Sequence, residues 1–390
     1  MYRNVLLLAL CQALLMTGTS LLIASSALVG RMLTPLPALA TLPLALQFLT
    51  TMLTAFPAAL LMKRVGRRVG FMSGAVLGIA GAALCTAAIL GGSFALFCLG
   101  AMLMGAFSGF GQFYRFAAVD VVAAEFRSRA ISWVLAGGVL AAFLGPNLAA
   151  WARQWLAVPF AGSYAAVTAV TVLSLLTSGR LRIPAPGAEE AGGVARPLVA
   201  IAAQPTFAVA LLAGMVSYGA MNLVMTATPL AMADCGLPFD DTAFVIQWHV
   251  VAMFLPSFFT GHLIRRFGVL TVMAVGALLL AACVAVNFSG LTRMHFSVAL
   301  MLLGMGWNFL YIGATTLLTE TYAPAEKAKT QALNDCLVFG SVTLTALSAG
   351  ALQQRFGWLA VNAGVLPAIA LVLAAVLWLG WRRRLSPAAA

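Results

Sequence analysis

Ala59-Leu60-Leu61-Met62-Lys63-Arg64-Val65-Gly66-Arg67-Arg68 and its echo, Gly261-His262-Leu263-Ile264-Arg265-Arg266-Phe267-Gly268, decide the fold. Each closes an apolar run with two basic residues, one bulky apolar residue and a glycine, and Gly66 and Gly268 lie 202 positions apart. A second correspondence keeps nearly the same offset, since Asp120, Arg127 and Arg129 recur as Glu320, Lys327 and Lys329, each shifted by 200. One such match is cheap, but two at nearly the same spacing indicate a chain built from two similar halves. Between them, Ser178 to Pro197 carries Pro184, Pro186, Gly187, Gly192 and Gly193, the composition of a flexible connector.

Working outward, the rest of the chain is apolar. Hydrophobic residues make up 63% and charged residues 8%, and most apolar runs reach the roughly 18 residues that cross a bilayer of about 30 Å. Spans are expected to begin near Val5, Ala38, Gly70, Phe94, Ala130, Pro159, Thr206, Thr242, Val269, Phe296, Gln331 and Trp358. The expected fold is therefore an all-α polytopic membrane protein of twelve transmembrane helices in two six-helix pseudo-repeats. Its parts are a bundle at 1–178, a cytoplasmic loop at 179–197 and a second bundle at 198–390. The first apolar stretch is too long for a typical signal-peptide core.

A net charge of +12 does not point to nucleic acid, because the basic residues sort by membrane side. With the amino terminus in the cytoplasm, 18 of the 22 fall inside, and only Arg31, Arg153, Arg293 and Arg355 fall outside. That is the positive-inside pattern, and it places both termini in the cytoplasm. Five of the six cysteines lie within spans and only Cys235 in an external loop, so no disulfide framework is expected.

The candidate site is a set of soft donors. Met221 and Met225 are four apart on the seventh span, and His249 and Met253 are four apart on the eighth. A spacing of four puts both members of a pair on one helix face. Thioether sulfur and imidazole nitrogen suit monovalent copper better than calcium, magnesium or manganese. The alternative is that methionine here is packing filler, as it often is in apolar helices. Asp234 and Cys235, in the loop above, are candidate metal-entry residues, although acids in an external loop are also ordinary solvated groups. Asp335 in the eleventh span, beside Asn334, is a candidate proton-coupling acid, or a cap at the helix start. Gln12, Gln47, Gln112, Asn222, Trp307, Asn308 and Tyr311 are candidate cavity residues whose amides and rings suit an organic substrate as well as packing. No nucleotide loop, nucleophile elbow or metalloprotease signature is present, so an enzyme is not expected.

The Gly66, Arg67, Arg68 end of the first quoted stretch resembles the loop between helices 2 and 3 of the major facilitator superfamily, with Ala59 and Lys63 departing from its usual glycine and aspartate. Gly137, Gly138, Gly145 and Pro146 are similar to that superfamily's glycine-rich fifth helix. The resemblance implies gating roles for Gly66, Arg67, Arg68, Arg265, Arg266 and Gly268, and a mid-membrane cavity exposed alternately to each side. The pairs on spans seven and eight resemble those of the CcoA-type copper importers. That likeness implies copper ligation by Met221, Met225, His249 and Met253, with copper as the cargo and no tightly bound cofactor. It further implies residence in a bacterial inner membrane, and hand-over to a cytoplasmic copper chaperone or cuproenzyme assembly factor. The sequence-level expectation is thus a copper importer. The alternatives are a proton-coupled carrier of a small organic compound, vitamin or drug, and a membrane-embedded copper-binding assembly factor.

Overall fold

Gly66 and Gly268 do in the structure what their matched positions require. In the computed structural model, which describes residues 2–114, 117–118, 121–122, 127–183, 196–323 and 326–385, both sit at sharp breaks between consecutive helices. Their φ values are +83° and +85°, with ψ near the extended range, a conformation that essentially only glycine adopts without strain.

Among the described residues, twelve long helical arms follow in order. The first half holds α1 (Tyr2–Leu33), α2 (Leu42–Val65), α3 (Arg67–Leu90), α4 (Phe94–Gly111), α5 (Arg127–Trp151) and α6 (Ala161–Ser178). The second holds α7 (Pro205–Asp234), α8 (Phe239–Phe254 with Ser257–Phe267, bent by 43°), α9 (Val269–Ser289) and α10 (Arg293–Thr319). A continuous helical segment, Lys327–Leu385, then turns back at Gly357, where φ is +76°, giving α11 (327–356) and α12 (358–385). Among the described residues nine helices are long and apolar enough to cross a bilayer, and the bent α8 pair adds a tenth. Leucines, valines and phenylalanines are exposed around the outside, as a lipid-facing surface requires. Most of the connector between the halves, together with Arg115 and Asp120, lies outside the described residues.

The duplication seen in sequence is also a duplication of packing. Gly81 on α3 meets Gly100 on α4, and Gly276 on α9 meets Gly306 on α10, so each pair of helices approaches backbone to backbone. A second crossing repeats too. Gly105 on α4 lies over the carbonyl of Gln47 on α2, and Gly304 on α10 lies over the carbonyl of His249 on α8. Gln47 and His249 are 202 positions apart, the same offset as Gly66 and Gly268.

The halves meet at one end of the molecule. There Arg31 on α1 pairs with Asp234 on α7 at 2.5 Å, and Gln353 on α11 donates to the second Asp234 oxygen at 3.3 Å. The Thr41 hydroxyl accepts from the Gly350 amide at 3.1 Å, and the Phe160 and Phe239 rings meet edge-on at 4.9 Å. The Asn147 amide on α5 donates to Gln247 on α8, and one turn deeper Phe143 packs on Trp248. At the opposite end, which carries Gly66 and Gly268, the described ties join each half to its own end of the connector. Asn4 exchanges two hydrogen bonds with the Arg182 backbone, and Arg196 is held by Glu326.

Candidate functional site

Near the middle of the second half, four helices contribute rings to one cluster. Trp307 and Tyr311, four apart and so on one face of α10, stack at 5.2 Å with an interplanar angle of 14°. Tyr218 from α7 stands edge-on to both, at 5.3 and 5.1 Å. Phe339 from α11 and Phe254 from the bend of α8 complete the group, at 5.7 Å from Tyr218 and 6.2 Å from Trp307. Tyr218 is 13 residues into α7 and Trp307 is 14 into α10, which puts the cluster near the mid-plane, the depth at which a central cavity is expected from the sequence.

Its rings have the chemistry to stack on a flat, polarisable ring system. Aromatic faces stack on heteroaromatic rings with little demand for particular substituents. Trp307 is only 6% exposed, and its indole N–H has no acceptor within the described protein. A buried, unused donor of this kind is unusual in a folded chain and is available to a polar ligand atom. Asn308, the next residue, is fully engaged: its amide donates to the Met253 carbonyl and to Ser257, and its oxygen accepts from Thr260. Asn308 therefore fixes the α8 bend that carries Phe254, rather than lining a cavity. Asn222 is tied to α11 through the Val342 carbonyl and Thr345. Gln12 and Gln112 are partly buried, and Gln47 is buried.

The four soft donors lie in the packed interior of the second half. Met221, Met225 and Met253 are buried in the apolar core of the second half. The helix bearing the first two, α7, packs chiefly on α10 and the α11–α12 segment, and touches α8 only slightly. His249 on α8 points to α10, where its Nδ1 donates to the Leu300 carbonyl at 2.7 Å. A carbonyl can only accept, so that bond fixes the proton on Nδ1 and leaves Nε2 as a buried acceptor with no partner in the protein. The repeat-related Gln47 is the same case: 2% exposed, with Oε1 buried and unpartnered. His249 thus occupies a position that the other half fills with an amide, which is expected of a shared packing device. Among the described residues no three His, Cys, Asp or Glu side chains converge as a metal group.

The remaining candidates also find specific places. Asp234 is the acid of the cross-half tie described above. The thiol of the exposed Cys235 is pushed up from its ordinary pKa, first by partial burial and then by the Asp234 carboxylate, which disfavours the thiolate that binds metal. Asp335 is exposed and accepts from Asn334 at 3.2 Å. It stands more than two turns into α11, too deep to cap the helix start. Arg265 and Arg266 end the second arm of α8, and Arg67 and Arg68 begin α3, beside the two sharp glycine breaks. Trp307 and Tyr311 are among the cavity candidates offered by sequence, whereas Tyr218, Phe254 and Phe339 carry no signal there beyond an aromatic on a neighbouring span.

Comparison with known proteins shows the family and the fold. The family model for the Major Facilitator Superfamily matches residues 8–246 and 210–390. The chain is 41% identical over 376 residues to the riboflavin transporter RfnT of Brucella anthropi, covering 95% of this chain and 94% of that one. It is 28% identical over 312 residues to YddS of Bacillus subtilis, an uncharacterised transporter of the same superfamily, covering 75% and 70%. Among solved structures it resembles the xylose transporter XylE of E. coli in a partially occluded inward-open conformation. The TM-score is 0.70 at 11% identity, over 95% of this chain and 97% of that one, which speaks to fold alone. The expectation of copper import is overturned by the full-length likeness to a riboflavin transporter, which favours the organic-cargo alternative. The physical reason for the misreading is that methionine at helical spacing is also what fills a core.

Proposed function

This chain belongs to the Major Facilitator Superfamily, and on that premise we propose that it carries riboflavin, or a closely similar flat and hydroxylated heteroaromatic compound, into the cell by alternating access. The observation that carries the proposal is the 41% identity to a riboflavin transporter over nearly the whole of both chains. The cluster of Tyr218, Phe254, Trp307, Tyr311 and Phe339 supplies the physical means. A tricyclic ring would stack there, with the Trp307 N–H free to donate to a ring oxygen or nitrogen.

The basic residues orient the carrier. By the positive-inside rule the Gly66 and Gly268 end faces the cytoplasm of a bacterial inner membrane, and the end closed by Arg31 and Asp234 faces out. In this orientation the described contacts between halves hold the outer side shut. Inward opening is then the state from which cargo is released. Asp335, exposed on α11, is our candidate for the group that couples a proton to this cycle. The gating roles proposed for Gly66, Arg67, Arg68, Arg265, Arg266 and Gly268 rest on their place at the two matched breaks.

The test is counterflow of riboflavin in liposomes holding the purified chain. The unaltered protein should concentrate labelled riboflavin against an internal unlabelled pool, and Trp307→Ala should lose most of that activity while remaining folded. Counterflow of xylose or of copper without riboflavin would overturn the proposal.

A further inference from the structure

At the outer end, α5, α8 and α10 surround a cleft of about 240 Å³ lined by Asn147, Asp240, Asp241, Phe244, Gln247 and Arg293. Its walls come from both halves: Asn147 belongs to α5, and the others to α8 and α10. That volume is below the roughly 300 Å³ at which pockets begin to enclose a drug-sized ligand, so it suits part of a larger molecule rather than the whole. The lining is rich in hydrogen-bonding groups of both kinds. Arg293 is neutralised by Asp241 at 3.0 Å and lies over the Phe244 ring at 4.1 Å, which leaves it ordered rather than free to capture an anion. Asp240 is exposed and has no ion-pair partner among the described residues. The floor is the amide pair in which Asn147 donates to Gln247 across the two halves. Directly beneath stand Trp248 and Phe143, 6.1 Å apart, and the buried Trp248 N–H has no acceptor within the described protein.

Carboxylate and amide groups set close together, with no free cation, are the partners of a polyhydroxyl chain, which donates and accepts at every carbon. We propose that this cleft is an outer docking site for the hydroxylated chain of the cargo, whose hydroxyls take over the bonds that tie Asn147 to Gln247. The exchange replaces one hydrogen bond by another at small net cost, and the bond it removes is one that holds α5 to α8. Docking thereby loosens the outer closure above the Trp248 and Phe143 rings, on the path to Phe254 and Trp307. This inference rests on the riboflavin reading above.

The experiment is the initial rate of uptake against outside concentration in intact cells, for riboflavin and for lumiflavin, which has a methyl group in place of the hydroxylated chain. Asp240→Ala is the variant, since its side chain is exposed, and its membrane level is matched to the unaltered protein. We expect the KM for riboflavin to rise at least about tenfold with an unchanged maximal rate, as loss of a charge-assisted hydrogen bond implies, and the KM for lumiflavin to stay fixed. Unmoved values for both compounds, or an equal rise for both, would overturn the docking site while leaving the carrier reading intact. If the unaltered chain takes up neither compound, the riboflavin reading falls and the docking site falls with it.

Discussion

Replacing Gly304 by alanine tests the crossing that holds the ring cluster in place. A Cβ there would stand 2.6 Å from the His249 carbonyl oxygen, 3.0 Å from the Met253 nitrogen and 3.1 Å from the Ala252 Cβ. Two of these are backbone atoms, which cannot swing aside as a side chain can. Ordinary contact begins near 3.4 Å, so α8 and α10 must part by about 0.8 Å to relieve the worst overlap. Overpacking of this size costs about 1–3 kcal/mol. The same movement separates Phe254 from Trp307, now 6.2 Å apart, and should weaken flavin binding along with stability. The control is Gly340→Ala on α11, where an added Cβ meets nothing within 4 Å and a helical alanine should be neutral or stabilising by about 0.5–1 kcal/mol. The assay is thermal unfolding of the purified protein at one fixed scan rate, followed by riboflavin titration. Gly304→Ala should unfold a few degrees lower and bind more weakly, while Gly340→Ala should do neither. An unshifted midpoint for Gly304→Ala, or an equal fall in both variants, would refute the reasoning.

Three further outcomes follow from the same geometry. Trp307→Ala should weaken riboflavin binding about 10- to 100-fold, since stacking on one aromatic ring is worth about 1–3 kcal/mol, and Trp307→Phe should restore part of it; fluorescence quenching of the flavin reads both. Met221→Leu, Met225→Leu and His249→Gln should retain transport, because the first two conserve core volume at a cost under about 1.5 kcal/mol and the third installs the residue type found at Gln47; uptake assays at matched membrane levels decide this. Glu326 is held well below the usual carboxylate range, chiefly by the Arg196 side chain and next by the Ala323 amide. A depressed carboxylate contributes stability above its unfolded value of about 4.3 and loses it only as pH falls through the lower folded value. The midpoint difference between the unaltered chain and Glu326→Gln should therefore stay constant from pH 5 to 8 and vanish only in stronger acid.

The fold was legible because a bilayer imposes long apolar runs and because the glycine breaks are chemically forced. Gly66 and Gly268 adopt backbone angles few other residues tolerate, so their spacing survives as a visible repeat. The helix starts expected near Phe94 and Val269 coincide with those observed. The site was legible only in part. Trp307 and Tyr311 stand among the amide and aromatic residues that sequence offers for a cavity, but a site built from four helices is a matter of rotation about each axis, which a sequence states only weakly. Met221 and His249 misled for the same reason. Spacing places two residues on one face of a helix without saying what that face meets, and His249 turns toward the Leu300 carbonyl on α10. The tie from Arg31 to Asp234 joins residues 203 positions apart, beyond the reach of any local pattern.

Accumulation of labelled riboflavin and of labelled copper, measured in parallel in cells expressing the chain and in cells lacking it, tests the central claim most directly. The account predicts riboflavin accumulation that depends on the chain and on Trp307, with copper unchanged between the two cell types. Copper accumulation that depends on the chain, with riboflavin unchanged, would contradict it.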